Sequence, residues 1–162
     1  MKKPYIQLSE TAQQQIFMDV QQRNSIEACG VLLGSIDTEG NWLVEEAQPL
    51  SNTAESSAYF EFDPEELLQT ELTISQQIVG VYHSHPSGYP VASDTDCQNM
   101  QRVNQEQLIP WAWIIVRGPF SDGCTEQAQR QPETADMIAY HYYAQEGLQQ
   151  VTICVDASSQ IE

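Results

Sequence analysis

The chain has 162 residues, 41% of them hydrophobic, and this length and composition predict a single domain over residues 1–162 with a core of its own. Six Lys and Arg against 23 Asp and Glu give a net charge of −17, which opposes nucleic-acid phosphate and anionic lipid and so excludes both as direct partners. The acidity either keeps the surface soluble, adapts it to a salty cytoplasm, or complements a partner with a basic face. No apolar run approaches the length of a membrane span, and MKKPYIQLSE has no apolar stretch of the kind a signal peptide needs. A soluble, cytoplasmic protein is therefore expected. Cys29, Cys97, Cys124 and Cys154 are scattered without a CxxC pair, so they read as reduced, mostly buried thiols rather than a disulfide framework.

The first predicted element is a helix opened by Ser9 and ending near Asn24, with Ala12, Ile16, Phe17 and Val20 on one apolar stripe. Gly30–Ser35 and Trp42–Ala47 read as two strands of a hairpin around DTEGN, whose Asp and Gly suit a turn. Tyr59–Phe62 reads as another short strand. Asp63-Pro64-Glu65-Glu66 is a helix start, with Asp at the N-cap, Pro at N1 and Glu at N3, and Leu67, Leu68 and Leu72 are expected on the buried side. Ile78–Tyr82 is a short apolar run rich in β-formers, and Pro86 and Gly88 end it; Tyr82, Pro86 and Gly88 are read as shaping the loop. A further helix runs from Ser93 to about Gln107, with Cys97, Met100 and Val103 inward. Pro110 separates it from a strand at Trp111–Val116. Residues 118–133 read as loop. Ile138–Ala144 and Val151–Val155 read as a closing antiparallel pair around QEG. Helices interleaved with a mixed sheet predict an α/β fold, packed as a three-layer α-β-α sandwich.

Chemistry concentrates in HSHPSGYPVASDTD. Residues two apart on a strand share a face, so His83 and His85 lie side by side and Ser84 turns away. SDTD reads as a helix start with Ser93 at the N-cap, and that helix can carry Asp96 back toward the two imidazoles. Two His and one Asp give a zinc site a fourth position for water, the arrangement of catalytic rather than structural zinc. Asp94 competes as the carboxylate ligand. Cys97 beside Asp96 reads as helix packing, because a fourth protein ligand closes the site. Tyr89, Trp111 and Trp113 are candidates for a groove wall or for core packing. His141, in AYHYYA, falls on a solvent face by alternation and is assigned no role.

His83-x-His85, seven residues, Ser93, two residues and Asp96 resemble the JAMM motif of the MPN+ (Mov34/MPN/PAD-1) metallopeptidases, and at that spacing the carboxylate ligand is Asp96, not Asp94. EACGVLLG, Glu27 to Gly34, is similar to the family's upstream Glu-x-Cys-Gly-x-Leu-x-Gly segment, and weaker similarity extends through NTAESSAYFEFDPEEL and WAWIIVRG. The resemblance implies a fold like that of the cytidine deaminases, a Zn2+ cofactor and hydrolase activity. A deaminase itself needs a PCxxC zinc segment, which the chain lacks.

Within that resemblance Glu27 is the general base that takes the proton of the activated water; without it, Glu27 reads as a solvated residue on a helix-to-strand loop. Ser93 is both a helix cap and a group that polarises the scissile carbonyl. Cys29 is a packing residue. The implied activity is hydrolysis of a peptide or isopeptide bond after the C-terminal Gly-Gly tail of a ubiquitin-like or sulfur-carrier β-grasp protein. The short separation of Gly34 and His83 leaves little room for a large insertion and suits a compact, prokaryotic-type member. The alternative is a non-catalytic MPN scaffold that binds protein partners.

Overall fold

The computed structural model describes residues 3–120 and 131–156. The chain opens with a short strand, β1 (Ile6–Ser9), which feeds directly into α1 (Glu10–Gln22). Ser9 caps α1 by accepting the Ala12 N–H at 3.0 Å, a contact worth about 1 kcal/mol. The predicted hairpin forms from β2 (Cys29–Ile36) and β3 (Trp42–Leu50), with Asp37 accepting the Glu39 and Asn41 N–H groups across the turn. Next come α2 (Pro64–Thr73), capped by Asp63, and β4 (Gln77–His85), which runs to the second histidine.

The predicted long helix divides in two. α3 (Asp94–Gln101) continues into a π-helical turn, Arg102–Glu106, closed by Gln107 N–H to the Arg102 carbonyl at 2.9 Å. The wider turn brings two consecutive residues, Val103 and Asn104, inward. The sheet is completed by β5 (Ala112–Arg117), β6 (Met137–Tyr143), β7 (Gly147–Val151) and β8 (Ile153–Asp156). The eight strands lie in the order β7-β6-β5-β4-β2-β3-β1-β8 in one mixed sheet.

Side-chain alternation sorts the core onto two faces. Leu32, Tyr82, Ile114 and Val116 point to the face covered by α1, through Ala12, Ile16 and Val20. Val81, Trp113 and Ile115 point to the other face and meet Met100 and Val103, while Val31 and Leu33 meet Leu67 of α2. The three-layer α-β-α arrangement follows.

Several expectations are corrected. Tyr59–Phe62 is not a strand, because its backbone groups are engaged by Asn52 and Thr53 rather than by a neighbouring strand. Leu68 and Leu72 are exposed at 54% and 70%, since α2 turns Leu67 and Thr70 inward instead. The partner of β6 is β7, and the Val151–Val155 region splits: β8 crosses to the opposite edge and pairs in parallel with β1, a strand the sequence had not suggested. Tyr82 lies in the core beneath α1 rather than in the loop. Cys29 is buried, but Cys97 is only half-buried and Cys154 is exposed; Cys124 lies outside the described residues. His141 is half-buried, donating from Nδ1 to the Trp111 carbonyl at 2.8 Å and packing on Trp42 and Tyr143.

Candidate metal centre

Register assembles the centre. β2 pairs antiparallel with β4 so that Cys29 faces His83, and Glu27, two residues before Cys29, reaches the same end of the sheet. His83 and His85 emerge together on the face of α3. Ser84 points the other way, where its hydroxyl accepts the Ala28 N–H at 2.9 Å. After His85 the chain makes a tight turn in which Gly88 adopts φ +84°, with its N–H on the His85 carbonyl. A Cβ on Gly88 would also meet the Gly118 carbonyl at 2.9 Å, so only glycine fits both demands. The turn delivers the Tyr89 carbonyl to His85 Nδ1 at 2.9 Å. That carbonyl accepts a hydrogen bond from Nδ1–H, which leaves Nε2 as an acceptor aimed into the site.

Ser93 and Asp96 form a reciprocal capping box at the start of α3: the Ser93 hydroxyl accepts the Asp96 N–H at 3.1 Å, and Asp96 Oδ2 accepts the Ser93 N–H at 2.9 Å. The box fixes the carboxylate against both imidazoles. Asp96 Oδ1 lies 3.1 Å from His83 Nε2, Oδ2 lies 3.0 Å from His85 Nε2, and the two ring nitrogens are 3.3 Å apart. A tetrahedral zinc ion with bonds of about 2.0–2.1 Å has donor-to-donor edges of roughly 3.3 Å, so this donor set has the spacing and the N/N/O chemistry a zinc ion needs. Among the described residues, His83, His85 and Asp96 are the group able to hold a metal ion. Asp94 is exposed and takes no part. Cys97 is not in the cluster.

Glu27 comes within 4.0 Å of His83 Nε2 and is 3% exposed. Among the described residues its buried Oε1 has no hydrogen-bond partner. Burial pushes its carboxyl up to about 8; His85 opposes that shift and Asp96 reinforces it. Asp96 goes the other way: burial works against ionisation, but hydrogen bonds from His83 and His85 hold it well below the usual carboxylate range. The two imidazoles part as well. Full burial lowers His83, whereas the bonds to Asp96 and to the Tyr89 carbonyl outweigh burial and raise His85. Two buried carboxylates with proton affinities driven apart, beside a nitrogen-rich donor set, is the pattern of an acid–base centre. The Cys29 thiol is pushed up to about 12 by burial and touches the Leu50 and Ser51 carbonyls, which fits a packing residue and not a nucleophile.

The centre opens into a depression of about 390 Å³ lined by Glu27 and His85, by the small residues Ser57, Ala58, Ser87 and Ser93, and by Tyr89. A second groove of about 460 Å³ runs between the 59–62 segment and α3, lined by Phe60, Phe62, Trp111 and Trp113, with Arg102 among its polar residues. Phe60 joins the groove to the centre, its ring 4.7 Å from that of His83. Tyr89 lines the depression and Trp111 and Trp113 line the groove, Trp113 being otherwise buried and donating to Asn104. Phe60 and Asn52, which organises its loop, both lie in the weakly similar NTAESSAYFEFDPEEL segment, but nothing in the sequence marked either as a site residue.

The model for the prokaryotic homologues of the JAB domain matches residues 9–131. Two curated relatives, both named desampylase, match parts of the chain. The one from Haloferax volcanii is 43% identical over 74 residues, covering 43% of this chain and 51% of that protein. The one from Pyrococcus furiosus is 32% identical over 96 residues, covering 57% of this chain and 61% of that protein. The chain thus spans about half to three-fifths of the length of these relatives. A solution structure of a Desulfitobacterium hafniense protein superposes with a TM-score of 0.67 at 21% identity, over 93% of this chain and 92% of that one, which shows the fold. With three-quarters of its length matched by that one model and the His-x-His and Asp carboxylate brought together in space, the chain belongs to the prokaryotic JAB-domain family, of JAMM type.

Proposed function

We propose that the protein is a zinc metallopeptidase of the JAMM type that hydrolyses the peptide or isopeptide bond following the C-terminal Gly-Gly tail of a ubiquitin-like or sulfur-carrier β-grasp protein. The observation that carries the reading is the pairing of an open three-ligand set, His83, His85 and Asp96, with a buried carboxyl of raised proton affinity, Glu27. Zinc held there supplies Lewis acidity and lowers the pKa of water to about 7. Glu27 Oε1, without a hydrogen-bond partner among the described residues, accepts the proton of the attacking water, which passes to the leaving amine. The Ser93 oxygen accepts from the Asp96 N–H, which leaves its own hydrogen to donate to the oxyanion that develops on the scissile carbonyl. The Tyr89 carbonyl keeps His85 in the tautomer that binds through Nε2.

A centre at a strand end beside the Pro86–Gly88 turn favours an extended tail of small residues such as Gly-Gly, and the desampylase name of the curated relatives favours a protein-modifier tail over a generic peptide. The aromatic groove beside Phe60 suits the extended chain leading into it. A non-catalytic scaffold has no use for an assembled ligand set with a base beside it. Incubating the zinc-loaded protein with a panel of C-terminally extended β-grasp proteins, read by intact mass, tests the reading. Cleavage after Gly-Gly, abolished by chelator, is expected. Cleavage of unfolded peptides at arbitrary residues, with no preference for a folded β-grasp partner, overturns it.

A further inference from the structure

The loop between β3 and α2 forms the roof of the centre, and one side chain organises it. Asn52 is 4% exposed. Its Nδ2 donates to the Glu27 carbonyl at 3.1 Å and the Tyr59 carbonyl at 3.1 Å, with a longer reach of 3.5 Å to the Ser56 carbonyl. Its Oδ1 accepts the Ala54 N–H at 3.0 Å and the Glu61 N–H at 3.1 Å. The Ser56 carbonyl in turn accepts the Glu27 N–H at 2.8 Å, so both peptide groups flanking the Glu27 Cα are tied to this loop. Phe60, whose ring lies over His83, sits between Tyr59 and Glu61, the two residues that Asn52 grips. Only a primary amide meets these demands, because the position needs two N–H donors on one atom and a doubly accepting oxygen on the other.

We propose that Asn52 is a positioning residue for the hydrolytic centre, acting through the Glu27 backbone and through Phe60 to fix the Glu27 carboxyl against His83. The carboxyl itself has few tethers, since Oε1 has no hydrogen-bond partner among the described residues. Its aim is therefore set by its main chain, and the main chain is set by Asn52. None of the metal-holding residues lies in this loop, so metal retention does not depend on it. The activity arm of this proposal rests on the metallopeptidase reading given above; the exchange arm does not.

Asn52→Asp tests it, since the isosteric carboxylate turns oxygen toward three carbonyls. In the zinc-loaded variant kcat should fall about 100-fold with KM within about threefold of the parent, as expected when a catalytic group is misplaced by about an ångström. Zinc content should be unchanged. Hydrogen exchange at the Glu27 and Glu61 amides should accelerate by at least about tenfold while Val31 and Val81, in the paired β2 and β4 strands, stay protected. If Asn52→Asp does not fold, Asn52→Ser is read in the same way. Unchanged exchange at Glu27 and Glu61, or parent-like kcat in a folded variant, overturns the proposal. Should the parent itself show no turnover, the functional reading fails, and the exchange measurement alone decides whether Asn52 holds Glu27.

Discussion

Neutralising Glu27 measures how strongly burial sets the electrostatics of the centre. The carboxyl is raised from 4.5 to about 8, by burial first and by Asp96 next, against the pull of His85. The metal-free folded protein therefore holds a proton at Glu27 that the unfolded chain releases near 4.5. Between these values the folded state binds more protons than the unfolded state, so stability falls as pH rises. The contribution is fully present below about 4.5 and is lost as pH approaches about 8. At about 1.4 kcal/mol per tenfold change in proton affinity, the full difference is roughly 5 kcal/mol, an upper figure that solvent relaxation around the opened site reduces.

Glu27→Gln has no charge to bury. Chelator-treated parent and variant should have similar stability near pH 5, and the variant should become the more stable by several kcal/mol near pH 9. Urea unfolding at fixed ionic strength, with the variant subtracted from the parent, reads the effect and cancels most of the histidine titration. Zinc should shrink the difference, because a divalent cation favours the carboxylate. Turnover should move oppositely to stability: the amide cannot accept a proton, so the zinc-loaded variant should lose roughly 10²–10⁴-fold in rate. Parallel pH profiles for the two apoproteins refute the claim that Glu27 is buried at a cost, and a near-parent rate refutes its role as the base.

The His83→Ala, His85→Ala double variant should lose zinc on dialysis yet unfold cooperatively, since neither side chain belongs to the three apolar clusters; stoichiometric zinc by elemental analysis refutes the ligand set. Ser93→Ala removes the acceptor of the Asp96 N–H, for which thermal unfolding should show about 1 kcal/mol lost, and should lower kcat by roughly 10²–10³-fold, whereas a stability loss with full kcat leaves Ser93 as a cap alone. Gly30→Ala drives a Cβ into the Gln48 carbonyl and the Tyr82 ring, and the backbone side of that clash has no soft way out. It should cost at least about 3 kcal/mol in urea unfolding, and a parent-like midpoint contradicts the packing described.

What could be read in the sequence was local. The Asp63-Pro64 helix start, the Ser93–Asp96 box and the same-face placement of His83 and His85 depend on residues a few positions apart, and each formed as expected. What could not be read depended on distant partners. β1 has four residues and β8 four, too few for a period to emerge, and their pairing joins Ile6 to Ile153. Three leucines in α2 suggested an apolar stripe, but the helix lies on the sheet through Leu67 and Thr70, which leaves Leu68 and Leu72 in solvent. The aromatic-rich run Tyr59–Phe62 read as a short strand, while the tertiary structure gave its hydrogen bonds to Asn52 and Thr53. The motif spacing picked out the two imidazoles and the carboxylate that the fold brings together, yet the raised proton affinity of Glu27 comes from burial that no spacing encodes.

The centre exists only in one register of β2 on β4. A slip by one residue exchanges the faces of a strand, which would turn His83 and His85 under α1 and bring Ser84 toward Asp96. The opposite face of the same two strands guards against this. Gly30 stands directly across from Tyr82 and gives its ring the space that a side chain would fill. The Tyr82 hydroxyl donates to Asp19 Oδ2 at 2.7 Å, and Arg23 holds that carboxylate with bonds of 2.7 and 2.8 Å. Arg23 then donates to the Leu50 carbonyl of β3 and the Cys29 carbonyl of β2, so the side chain that caps the C-terminus of α1 grips both strands. A slip would take the Tyr82 hydroxyl from the buried Asp19 carboxylate and the Cys29 carbonyl from Arg23, at a cost of several kcal/mol. The polar cluster beneath α1 thus specifies the register, and the register puts Glu27 within 4.0 Å of His83.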